Sequence, residues 1–188
     1  LGLQSLHNKG QLDQNDPKAV AQFLLQNADR LDKTIVGDYL GKEAQYLNGF
    51  CVKVLHEYVE QADFAGLQFD DAIRHFLAGF RLPGEAQKID RMMEKFAERY
   101  CASNAALVAE SGLSPDAAFV LSFSIIMLNT DLHNPSIKED KKMTPAGFIR
   151  NNRGINEGGD LPASYLEHLF HRIKSKEIQM MADASASG

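Results

Sequence analysis

Apolar residues recur along this chain at intervals of three and four, the repeat of one helix face. A first run, from a helix starting at Asp70, holds Ala72, Ile73, Phe76, Leu77 and Phe80. The next holds Ile89, Met92, Met93, Phe96 and Tyr100 and continues to about Cys101. Pro83-Gly84 separates them, since proline disfavours helix at the residue before it and glycine favours a turn. Upstream, Leu3, Leu6 and Leu12 mark a marginal helix followed by a polar loop to Asn15. Asp16-Pro17 reads as an N-cap with proline in the first helical position, opening a helix with Val20, Phe23, Leu24 and Ala28. A short helix is predicted over 32–40, with Gly41 as its C-terminal cap. A longer one is predicted over 43–62, with Leu47, Phe50, Cys51, Val54, Leu55 and Tyr58 on one broad stripe.

The cap-plus-proline signal returns at Ser114-Pro115-Asp116 and at Thr144-Pro145. The first opens the most apolar helix of the chain. The second opens one that carries Phe148, Ile149 and Asn152 and ends near Gly154. Gly158-Gly159-Asp160-Leu161-Pro162 leads into a last long helix with Tyr165, Leu166, Leu169, Phe170 and Ile173. No run alternates with period two, and no internal repeat of fixed period is visible. The pattern predicts an all-α domain of several helices.

With 188 residues the chain is long enough to bury a sizeable core. The expectation is one domain over 1–181 and a short flexible tail of small residues over 182–188. A net charge of -5 argues against nucleic acid as a partner and against direct adhesion to acidic lipid. Cys51 and Cys101 stand alone, as expected of a reducing, cytoplasmic compartment without a disulfide framework. The most apolar run, Ala117 to Leu128, falls well short of the ~20 residues needed to cross a bilayer and reads as a buried helix. No secretory leader is visible. A start without Met fits a piece cut from a longer protein.

Few constellations suggest chemistry. The histidines to weigh as ligands are His133, close to Asp131 in the chain, and His168 with His171 on one helix face. No cysteine or clustered carboxylate completes a metal site, so these read as structural or surface histidines. Gly158-Gly159 lacks the lysine and preceding strand of a phosphate loop, and Ser122 and Ser124 lack a nucleophile elbow. Glu85 falls just past the Pro83-Gly84 bend, at the start of a helix. It is either an ordinary first-turn acid favoured by the helix dipole or a carboxylate displayed at a loop tip toward a partner.

Two long stretches bear on that choice. One is Phe80-Arg81-Leu82-Pro83-Gly84-Glu85-Ala86-Gln87-Lys88-Ile89-Asp90. The other is Val120-Leu121-Ser122-Phe123-Ser124-Ile125-Ile126-Met127-Leu128-Asn129-Thr130-Asp131-Leu132-His133-Asn134-Pro135. With the later 148–156 and 160–162 segments, they closely resemble the Sec-seven domain, the catalytic module of guanine-nucleotide exchange factors for Arf GTPases. The resemblance covers nearly the whole chain. It implies a right-handed superhelix of about ten helices, with both motifs lining a hydrophobic groove. It implies that Glu85 is a catalytic acidic finger, which Pro83 and Gly84 fix and clear. Arg81, Asp90 and Asn134 would make polar contacts to the GTPase, and Ile126 and Met127 would line the groove.

The same resemblance extends to inhibition by brefeldin A, which lodges beside the second motif in sensitive members. Those members carry Tyr, Ser, Asp and Met where this chain has Phe123, Ser124, Asp131 and Met143, so three of the four match. No cofactor of the domain's own is implied, since GDP, GTP and magnesium belong to the GTPase. A monomer that does not bind membranes by itself is expected, recruited through its parent to Golgi, endosomal or plasma membranes. A catalytically silent Arf-binding scaffold is the alternative.

Overall fold

Most of the stretches whose apolar positions recur at helical spacing are helical, although Ala28 and Phe80 fall just beyond the ends of their helices. In chain order the helices are α1 (Leu3–Asn8), α2 (Pro17–Gln26), α3 (Lys33–Leu40), α4 (Phe50–Gln61), α5 (Phe69–Leu77), α6 (Ala86–Ser103), α7 (Ala105–Ser111), α8 (Pro115–His133), α9 (Pro145–Asn151) and α10 (Ala163–Ser175). The computed structural model describes residues 2–180, so the tail expected over 182–188 lies outside the described residues. Among the described residues there are two short 3-10 turns and no strand, only an isolated bridge between Asn156 and Gly159. The all-α expectation is met.

Capping sets the helix starts. Asp16 accepts from the amide of Lys18, Ser114 from Ala117 and Thr144 from Gly147, each just before a first-turn proline. Asp32 accepts from Thr34 and Ile35 at the start of α3. Each side-chain oxygen satisfies amides that the first turn leaves unpaired, worth ~1 kcal/mol per cap.

Three local expectations need correction. The helix predicted over 43–62 begins only at Phe50. Before it, Leu47, Asn48 and Gly49 all have positive φ, at 47°, 56° and 82°. Asn48-Gly49 is a turn signal that tolerates left-handed backbone, and it overrides the apolar stripe. Leu47 consequently lies 60% exposed. Gly41 does end α3, but with φ of -87°, so its value there is not a left-handed cap. Finally, α7 is a helix that the apolar pattern does not predict. Gly112, left-handed at φ 72°, ends it.

The described chain divides into two compact units. The first holds 2–63, 75–95 and 179–180. Its core includes Val20, Ala21 and Leu24 of α2, Val36 and Leu40 of α3, and Cys51, Val54, Leu55 and Tyr58 of α4, all buried. Phe80 meets Tyr58 and Phe76 edge to face, with centroids 5.9 and 5.0 Å apart, arrangements that aromatic quadrupoles favour.

The second unit holds Phe64–Arg74 and Phe96–Ile178. Phe64, Phe69, Phe96 and Tyr100 form an aromatic cluster, and Leu121, Ile125 and Leu128 of α8 are buried with Leu166, Leu169 and Ile173 of α10. A charged network ties α5 to α10. The fully buried Asp70 pairs with Arg74 and accepts from Arg172 Nε at 2.8 Å. Asp71 pairs with Arg74 at 3.0 Å and with Arg172 at 2.6 Å. Arg74 also donates to the Lys176 carbonyl at 2.6 Å. Burying a carboxylate is tolerated only with such full pairing.

Candidate functional site

The acidic tip is built along α3. Beyond α5, the Arg81 amide donates to the Lys33 carbonyl at 2.9 Å, and Lys33 Nζ donates to the Ala78 carbonyl at 2.6 Å. A Cβ at Gly37 would run into the Arg81 carbonyl oxygen, so only glycine lets the loop backbone lie on the helix there. One turn on, a Cβ at Gly41 would stand 3.1 Å from the Pro83 ring and 3.4 Å from Lys88 Cβ. Arg91 of α6 donates to the Lys42 carbonyl at 2.9 Å. Gly37 and Gly41 thus make a flat seat, four residues apart, for the two sides of the tip. Pro83 is buried against this seat, while Gly84 has open space around it.

Glu85 stands immediately before α6. Its carbonyl accepts from the amides of Lys88 and Ile89, each at 3.1 Å, and its side chain is 55% exposed. One carboxylate oxygen lies 3.1 Å from Lys88 Nζ and the other accepts from Gln87 Nε2 at 3.1 Å. Asp90 is exposed on the first turns of α6. Arg81 is half-buried and lines a cavity of about 190 Å³ with Leu77, Phe80, Leu82 and Met180.

In the second unit, α8 is apolar nearly all round, and burial sorts its faces. Leu121, Ile125, Leu128 and Leu132 point inward. Val120, Phe123, Ser124, Met127 and Asp131 recur at helical spacing on the outward face; Met127 is 72% exposed and Val120 41%. Ile126 is half-buried beside them. Phe123 packs edge to face on Phe119, centroids 5.2 Å apart. Asp131 accepts from the Met143 amide at 2.7 Å, which fixes the loop beyond α8. Buried Asn129 clasps the Ile178 backbone with both its amide groups, at 2.7 and 3.0 Å. Asn134 takes the C-cap position, its oxygen accepting from the Ser136 amide at 2.9 Å. The structure therefore gathers Phe123, Ser124, Met127 and Asp131 on one helix face.

The histidines weighed as ligands have other surroundings. His133 Nε2 donates to the Ile173 carbonyl at 2.7 Å, and His168 and His171 lie exposed on α10. Among the described residues no group of three His, Cys, Asp or Glu could hold a metal ion.

A family model described as the Sec7 domain matches residues 1–178. The chain belongs to the Sec7 domain family. It is 52% identical over 182 residues to brefeldin A-inhibited guanine nucleotide-exchange protein 2 of Arabidopsis thaliana, a match covering 97% of this chain and 10% of that protein. It is 49% identical over 181 residues to brefeldin A-inhibited guanine nucleotide-exchange protein 1 of Homo sapiens, covering 95% and 9%. The chain thus spans about a tenth of the length of these curated relatives. The solved Sec7p catalytic domain superposes with a TM-score of 0.83 at 44% identity, covering 94% of this chain and 87% of that one. A Sec7 domain solved with ARF1-GDP and brefeldin A gives 0.80 at 40% identity, covering 95% and 85%.

What sequence reading misses in this Sec7 domain is the support of its tip. The glycines at 37 and 41 share the i, i+4 spacing of one helix face, a signal present in the sequence. Nothing in the sequence says that another backbone lies against that face. Lys88 follows Glu85 at i+3, the spacing of a helical ion pair, yet its capture of the carboxylate depends on the seat that holds its stem.

Proposed function

We propose that this Sec7 domain is a guanine-nucleotide exchange factor for Arf-family GTPases, with Glu85 as its acidic finger. The observation that carries the reading is an exposed carboxylate on a Pro-Gly turn whose backbone is clamped to α3. A GTPase holds GDP through backbone amides, a lysine and magnesium around its phosphates. A carboxylate brought there repels the phosphate and competes for the lysine and metal. At ~4 Å and an effective dielectric of ~20, two unit charges interact by roughly 4 kcal/mol, about a thousandfold if fully expressed in the release barrier. No covalent chemistry is needed. Arg81 and Asp90 supply polar contacts, as does Asn134. Ile126 and Met127 offer the apolar surface from which affinity comes, because exposed charge pairs contribute little. The domain acts in membrane traffic, and recruitment to Golgi, endosomal or plasma membranes falls to the rest of the parent protein.

Replacing Glu85 tests this. The side chain is exposed, so thermal unfolding should change little. Glu85→Ala should lose exchange by losing the repulsion. Glu85→Lys should also lose it, and its ammonium should attract the GDP phosphates, so that a complex with GDP-loaded Arf persists in a pull-down. Labelled-GDP release near the wild-type rate from folded Glu85→Lys protein would refute the acidic finger. A silent scaffold would bind Arf equally with either residue and release no GDP in any form.

A further inference from the structure

We propose that Lys88 restrains the Glu85 carboxylate and so sets how readily the tip engages a nucleotide-loaded GTPase, a role that rests on the exchange-factor reading above. Both carboxylate oxygens of Glu85 are taken by the first turn of its own helix, one by Lys88 and one by Gln87. The two partners differ in kind. Gln87 is neutral and exposed, so water readily replaces its hydrogen bond. The Lys88 side chain is only 16% exposed, and its Cβ lies against the open side of Gly41. Its stem is therefore confined beside α3, and its ammonium is delivered to the carboxylate rather than left to swing in solvent.

A glutamate bent back onto positions 87 and 88 is retracted along its own helix. To reach the lysine or magnesium ion of a partner, it must leave Lys88. While held, its charge is largely cancelled by the adjacent ammonium, which opposes the repulsion that expels phosphate. Lys88 thus acts against the finger twice, by holding it and by masking its charge. Removing the ammonium should speed nucleotide release, and the effect should be modest. Unpairing one surface ion pair changes an equilibrium by at most about fivefold.

The experiment measures single-turnover GDP release from Arf at saturating domain, in low salt and at about 0.5 M salt, where the Debye length falls to a few ångströms. Lys88→Met should release GDP about two- to fivefold faster than wild type in low salt, and the gap should close in high salt. Lys88→Gln carries the same expectation and covers any disturbance of packing by Met. Lys88→Arg keeps the charge and should release GDP more slowly than Lys88→Met. In a Glu85→Gln background, Lys88→Met should change nothing. Release by Lys88→Met and Lys88→Gln at or below the wild-type rate overturns the restraint, as does a gap that survives salt or the loss of the Glu85 charge. The underlying reading fails separately: wild-type release by Glu85→Gln overturns the acidic finger itself, whereas an inactive Glu85→Gln together with no gain from Lys88→Met in the protein that keeps Glu85 overturns only the restraint.

Discussion

At position 123 a phenylalanine stands where the resemblance to brefeldin-sensitive members calls for tyrosine. Its ring is half-buried on the outward face of α8, edge to face with Phe119, next to Ser124, one turn from Met127 and two from Asp131. Asp131 accepts from the Met143 amide, which brings two of the other matching positions together. A buried hydrogen bond left unmade costs about 1–3 kcal/mol. Brefeldin A is therefore expected to inhibit exchange by this chain only weakly, and Phe123→Tyr to strengthen inhibition by up to that amount. Dose–response of GDP release in both proteins checks this; identical curves would refute a role for the hydroxyl. Residue identities of this kind are legible from the motifs. The partners of those residues are not, because a side chain's neighbours depend on which backbone comes to lie beside it. Glu85 illustrates both: its exposure follows from the motif, and its hold by Lys88 does not.

At the scale of elements, α3 proves to be the platform of the tip. Gly37→Ala places a methyl on the Arg81 carbonyl, and Gly41→Ala places one within 3.1 Å of the Pro83 ring. Overpacking of this kind costs about 1–3 kcal/mol. Gly41→Ala meets only side-chain carbons and its own helix, so it should fold and bind Arf while releasing GDP several-fold more slowly. Urea unfolding alongside release rates separates the two effects. Unchanged release from folded Gly37→Ala and Gly41→Ala proteins would refute the seat. Helix starts marked by capping residue and proline are legible in the sequence because the signal and its cause are local. The start of α4 is not, because apolar Leu47 continues the stripe whereas Asn48-Gly49 turns the backbone left-handed. The short α7 escapes the pattern because Asn104, a cap residue by type, directs its side chain elsewhere. Its oxygen accepts from the Gly66 amide and its nitrogen donates to the Phe64 carbonyl.

At the scale of the whole molecule, each unit has its own core, and each buries a tyrosine whose ionisation is linked to stability. Burial pushes Tyr58, in the first unit, and Tyr100, in the second, up to about 12. In Tyr100, Cys101 and Asp70 add to the effect. Unfolded tyrosine loses its proton near 10. Below that value these groups' contribution is fully present. Above it the unfolded chain sheds protons that the native one keeps, so stability falls as pH rises toward 12. The loss should reach on the order of 1 kcal/mol per group by about pH 11. Urea midpoints between about pH 8 and 11 should decline in wild type and decline less in Tyr58→Phe with Tyr100→Phe. The same slope in both would refute the linkage.

The helical class, most helix starts and the identity of the tip acid are legible in the residue pattern alone. Helical periodicity and capping act between residues a turn apart, and a long motif names its residues outright. That Gly37 and Gly41 carry the tip, that Lys88 holds its carboxylate and that Met127 rather than Ile125 faces outward emerges once the chain has packed. Those outcomes depend on contacts between segments distant in sequence, and on a helix apolar nearly all round, whose pattern alone does not say which side is covered.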